Sequence, residues 1–95
     1  VPIVQTINVT QEHIDHGERM HCNKCPIALA IGEQMPRAKE IFVEAQEVSC
    51  VIDGTRYLGN LGDDASLFVV NFDRQLPRHL APFSFILTLD PVPVE

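Results

Sequence analysis

Residues 47–58 read EVSCVIDGTRYL, and the fold class follows from how that stretch is read. Val48, Cys50 and Ile52 alternate with Ser49 and Val51, a period of two that sends successive side chains to opposite faces of a strand. Asp53-Gly54 comes next. That dipeptide accepts positive φ at both central positions of a two-residue turn, the geometry whose twist matches paired strands. Thr55 to Leu58 is the return strand, and Gly59-Asn60-Leu61-Gly62 reads as loop. Upstream, Ile41, Val43 and Ala45 alternate with Phe42, Glu44 and Gln46, so another strand leads into the hairpin.

Working outward, residues 3–9 (IVQTINV) are β-branched, with Ile3, Ile7 and Val9 on one face, and predict a first strand. Thr10 supplies an N-cap hydroxyl for a short helix over Gln11 to His16, which Gly17 stops. Cys25-Pro26 opens a second helix: proline suits the first helical position, and the residue before it is excluded from the α region. Ile27 to Ile31 is apolar on nearly every side, which implies burial over most of the helix surface. Pro36 ends it near Met35. Asp63 or Asp64 is expected to cap a further helix whose stripe runs Ala65, Phe68, Val69, Phe72, Leu76 before Pro77. Phe83, Phe85, Leu87 and Leu89 share one face of the last strand. The predicted order is β-(short α)-α-β-β-β-α-β. The predicted fold is α+β, a mostly antiparallel four-stranded sheet with two helices packed on one face. It forms a single domain over residues 1–95, of which 90–95 are expected to be a mobile tail.

Ninety-five residues, 45% hydrophobic and 21% charged, make ordinary globular composition for one domain. Thirteen acidic residues against seven basic ones give a net charge of −6, and the basic residues are scattered along the chain. Direct nucleic-acid binding needs Lys and Arg gathered against phosphates and is not expected. Attraction to an anionic membrane is equally poor, and the apolar run from Pro26 to Ile31 is too short to span a bilayer. With no basic segment and apolar core of a secretory signal at its start, the chain reads as cytoplasmic.

Three cysteines, Cys22, Cys25 and Cys50, suit a reducing compartment better than a disulfide scaffold. Cys22-x-x-Cys25 is a four-residue turn whose end Cα atoms lie within about 7 Å, close enough to share a metal or a disulfide. Zinc requires two further ligands, and His16, His21 or Cys50 are the candidates; His13 lies in the same segment. A thiol role is the related possibility, since cysteines at helix N-termini are activated. Against both, the second ligand pair is missing and the proline follows the second cysteine. The structural reading places Cys22 and Cys25 beneath the helix start, Cys50 in the core and the histidines in solvent. There is no Gly-rich phosphate loop, G-x-S-x-G elbow or H-E-x-x-H motif. Arg56 and Tyr57 read as strand neighbours. No catalytic residue, cofactor-binding residue or cofactor is therefore expected.

Ile7-Asn8-Val9-Thr10, Ile14-x-x-Gly17, Cys22-x-x-Cys25-Pro-Ile-Ala, Asp53-Gly-x-Arg56-Tyr57, Phe68-x-x-x-Phe72-Asp73 and Pro82-Phe-Ser-Phe85 occur in this order. Over roughly residues 7–89 the chain resembles a family of short uncharacterised proteins encoded by bacteriophages and by phage-derived genes in bacteria. The resemblance implies a small protein at work in the host bacterial cytoplasm. The expected function is non-enzymatic binding of a host or phage protein, in one form as an acidic inhibitor of a nucleic-acid-handling enzyme. The alternative is a metal- or thiol-dependent protein using Cys22 and Cys25. A monomer or small homo-oligomer is expected.

Overall fold

The computed structural model describes residues 2–18, 21, 23–44, 46–74 and 81–93. Along the chain these form β1 (Ile3–Val9), α1 (Gln11–His16), α2 (Pro26–Gln34), β2 (Ala38–Val43), β3 (Glu47–Ile52), β4 (Thr55–Asn60), α3 (Asp63–Asp73) and β5 (Phe83–Pro91). One curled antiparallel sheet takes all five strands in the order β1-β5-β4-β3-β2. The expected four-stranded sheet with two helices is thereby corrected to five strands and three helices among the described residues. The reason lies in β5, whose nine residues pair along Phe83–Leu89 with β1 and along Thr88–Pro91 with β4. Through it a strand from the start of the chain and the central meander join one sheet, a connection that local periodicity does not reveal. The same pairing makes strand of segments expected to be loop or tail: Gly59 lies opposite Leu89, and Leu58 opposite Asp90.

The Asp53-Gly54 turn forms as its chemistry requires, with φ of 50° and 81°. At Gly59 a side chain has no room: a Cβ there would lie 2.3 Å from the Thr88 carbonyl oxygen of β5. In β2 the register slips between Lys39, opposite Val51, and Phe42, opposite Ser49. Glu40 and Ile41 together thus span the single step at Cys50, a bulge that places Glu40 at φ 49°.

Helix α2 is capped as its sequence predicts. Cys25 is the N-cap, its sulfur accepts from the Ala28 N–H at 3.5 Å, and Pro26 takes the first turn. Pro26, Ile27, Ala28, Ala30 and Ile31 are buried, and the helix packs against β1, β2 and α1. Since β1 and β2 are the two sheet edges, α2 closes the open side of the curl. That explains a helix apolar on nearly every side: it has a wall on each flank and the sheet floor beneath. On α3, Ala65, Phe68, Val69 and Phe72 face the core. Phe68 meets Phe83 at 4.8 Å between ring centroids, and Phe83 meets Phe85 at 5.8 Å. Gly62, not an aspartate, holds the N-cap position; Asp63 and Asp64 sit in the first turn, where their charge still favours the positive end of the helix. Leu76 and Pro77 lie outside the described residues, as does the end of the expected tail.

Ile31 is fully buried where α2 fills the gap between the edges. Ile31→Ala is expected to cost about 2–5 kcal/mol in chemical denaturation, whereas Leu67→Ala, on a half-exposed position of α3, costs less than about 1 kcal/mol.

Candidate functional site

Past Asn60 and Thr88 the strands β4 and β5 part company. Leu61 turns inward, buried, with its N–H bonded to the Gln46 carbonyl at 3.0 Å, and Gly62 leads into α3. β5 continues paired to β1 alone. On the other side Val92 returns its N–H to the Arg56 carbonyl at 2.8 Å, holding Pro91 and Pro93 beside β4. The result is an open groove of about 670 Å³. Strand alternation places Glu47, Leu58, Asn60, Ile86, Thr88 and Asp90 on the sheet face opposite the core, and all six line this groove.

Its described lining is apolar and acidic. Leu58 and Ile86, 40% and 66% exposed, form an apolar floor, and Glu47 and Asp90 supply two carboxylates. No Lys, Arg or His is among its described lining residues. Lys39 and Arg56 share the same sheet face but stand one step further along the strands, flanking Val51. The groove thus offers negative charge and apolar contact to a ligand carrying the opposite sign.

Among the described residues, those singled out from the sequence do not converge. Cys22 lies outside the described residues. Cys25 is buried as a helix cap. His16 is exposed and donates from Nδ1 to the Glu12 carbonyl at 2.9 Å within α1. His21 is exposed, 3.8 Å from the Glu18 carboxylate. Among the described residues no group of three or more His, Cys, Asp or Glu could hold a metal ion. Cys50 is fully buried on the core face of β3. Burial pushes its thiol pKa up, a shift the nearby Arg56 guanidinium partly offsets.

His13 departs from the expectation of solvated histidines: it is 5% exposed. Thr10 and His13 form a capping box, with histidine where Glu or Gln usually stands. The Thr10 N–H donates to Nδ1 at 3.0 Å, so in the neutral ring Nε2 carries the proton and donates to the Glu33 carboxylate at 3.1 Å. Thr10, His13 and Glu33 therefore stand in the order of a hydrolytic triad. Yet the Thr10 hydroxyl, 3.2 Å from Nδ1, also accepts from the His13 backbone N–H at 3.4 Å; the contacts with Thr10 cap α1, and the Nε2–Glu33 contact holds α1 to α2. The sequence signal was the Thr10-x-x-His13 spacing itself, which is that of a helix start. No family model, curated protein or solved structure matches the chain.

In the native protein Cys50 is expected to resist iodoacetamide and to react once the chain is unfolded, as read by mass spectrometry of the labelled peptide. Because the folded thiol holds its proton to higher pH than the unfolded one, stability declines as pH rises past the ordinary thiol range near ~8.5. Denaturation midpoints measured across that range check the sign, and Cys50→Val removes this part of the decline.

Proposed function

We propose that this chain is a binding protein, of phage or prophage origin as its sequence resemblance implies, that holds a basic segment of a host or phage protein. The observation that carries the reading is the groove on the open sheet face. Its charged groups among the described residues are the carboxylates of Glu47 and Asp90, set around an apolar floor at Leu58 and Ile86. Such a surface receives a Lys- or Arg-bearing segment: the aliphatic stem packs on the floor while the cation meets a carboxylate. The net charge of −6 adds a long-range field that steers a basic partner toward the protein and raises its association rate. A nucleic-acid-handling enzyme presents a basic surface of this kind, and occupying it would make the chain a competitive inhibitor.

Capture from bacterial lysate at low salt, with the partner identified by mass spectrometry, supplies the ligand for the decisive measurement. Glu47→Lys with Asp90→Lys is expected to weaken binding of that partner at least about tenfold, which corresponds to ~1.4 kcal/mol, and to flatten its salt dependence. Both side chains are on the surface, so the doubly substituted protein should retain the wild-type circular dichroism spectrum. Unchanged affinity in the double variant would remove the groove from the interface.

A further inference from the structure

The end of β1 is tied to α1, and α1 to α2, through a single buried ring. The two nitrogens of His13 serve different neighbours. Nδ1 accepts the Thr10 N–H at 3.0 Å, where the chain leaves β1, and Nε2 lies 3.1 Å from the Glu33 carboxylate on α2. A capping box usually has Glu or Gln at this position, and either would accept the same N–H. Histidine differs in that it changes charge more readily than other side chains under physiological conditions.

The two contacts answer oppositely to a proton. A neutral ring has one N–H and one lone pair, and the Thr10 N–H requires the lone pair. A charged ring donates from both nitrogens. The Thr10 N–H then loses its acceptor, and Nδ1–H turns to the Thr10 hydroxyl, 3.2 Å away. At Nε2 the same event converts a hydrogen bond from a neutral donor into an ion pair with Glu33. Other charges stand aside from the ring. Glu33 is the one charged residue of α2, β1 has none, and Glu12, Asp15 and His16 of α1 are exposed. Glu18 pairs with His21 and Lys24. Burial does not cut the ring off from protons, since Thr10 is exposed and the Glu33 side chain is 60% exposed.

We propose that His13 is a proton-operated joint: neutral, it ties α1 to the end of β1; charged, it releases the Thr10 backbone and grips α2. The contacts around it confine the change to that junction. Just upstream, Asn8 donates its N–H to Gln34 Oε1 at 2.8 Å and accepts from Gln34 Nε2 at 2.7 Å, so β1 itself stays fastened to α2. Just downstream, Gly17 rests against Pro26, so closely that a Cβ there would lie 2.6 Å from the proline ring. α1 thus keeps its seat on α2 while its link to the strand opens. None of these residues lines the groove between β4 and β5, so the inference stands apart from the proposed partner.

Histidine-ring and amide NMR of the wild-type chain through a pH titration tests it. The neutral His13 ring is expected in its Nε2–H form. As that ring titrates, and not as His16 or His21 does, the protection factor of the Thr10 amide should fall at least about threefold, the loss of one hydrogen bond. The Gly17 amide, bonded to the His13 carbonyl at 2.9 Å, should keep its protection through the same range. His13→Gln keeps the capping box without a titrating group, so its Thr10 protection should not vary with pH. In Glu33→Gln the charged ring has no carboxylate to grip, and Gly17 should lose protection together with Thr10. The proposal is overturned by a neutral ring in the Nδ1–H form, or by a ring that stays neutral for as long as the chain is folded. Thr10 protection that is constant through the His13 titration, or that varies equally in His13→Gln, overturns it too. So does a Gly17 amide that loses protection in the wild type or keeps it in Glu33→Gln, because α1 would then not be passing to Glu33.

Discussion

The packing of α2 between β1 and β2 is the constraint on which the rest depends. A curled sheet with two edges cannot seal its own concave side. The run Pro26 to Ile31 fills that gap, burying nearly the whole girth of a nine-residue helix. Caps hold it at both ends of its span. Cys25 receives the Ala28 N–H at the start, and the Met35 N–H returns to the Ile31 carbonyl at the finish. From α2, Glu33 reaches His13 on α1 and Gln34 reaches the backbone of β1. Hydrophobic fit thus seats the helix, while a few polar contacts fix its rotation and its height along the strand edge.

With the concave side filled, the open groove lies on the outer face of the sheet. The interior has one orphan, the Asn71 side-chain nitrogen, which is buried without a hydrogen-bond partner among the described residues. Buried amides without partners weaken a fold. This one sits on α3, away from the groove residues, and nothing in the structure gives it a task. Polarity on the outer face is arranged differently. Lys39 and Arg56 stand to one side of Phe42 and Leu58, and Glu47 to the other, so the face has a direction along its strands.

Much of the local structure was legible because local chemistry dictates it. Asp53-Gly54 tolerates positive φ, Cys25-Pro26 can only begin a helix, and Thr10 offers a hydroxyl where the first N–H groups are unpaired. The five strands could be read one by one, but that all five join one sheet was not legible. Ile3–Val9 finds its partner some eighty residues away in Phe83–Leu89, and Asp90 and Pro91 extend β5 by pairing with Leu58 and Tyr57 of β4. The candidate site escaped the sequence for a related reason. Glu47, Leu58, Ile86 and Asp90 come from three strands, and no spacing announces that β4 and β5 separate just where these side chains meet. The cysteine and histidine motif drew attention as a motif, yet its described members became caps, core and surface.

The central position of β5 also orders events in time. Of the five strands it is translated last, yet it is the strand that pairs β1 with the meander of β2, β3 and β4. While the ribosome is still making α3, the hairpin at Asp53-Gly54 can close, but β1 has no neighbour and α2 has only one of its two walls. Completion of the sheet waits for a long-range closure, the slow kind of contact in folding. During that wait the uncharged β1 lacks its strand partner among the described residues.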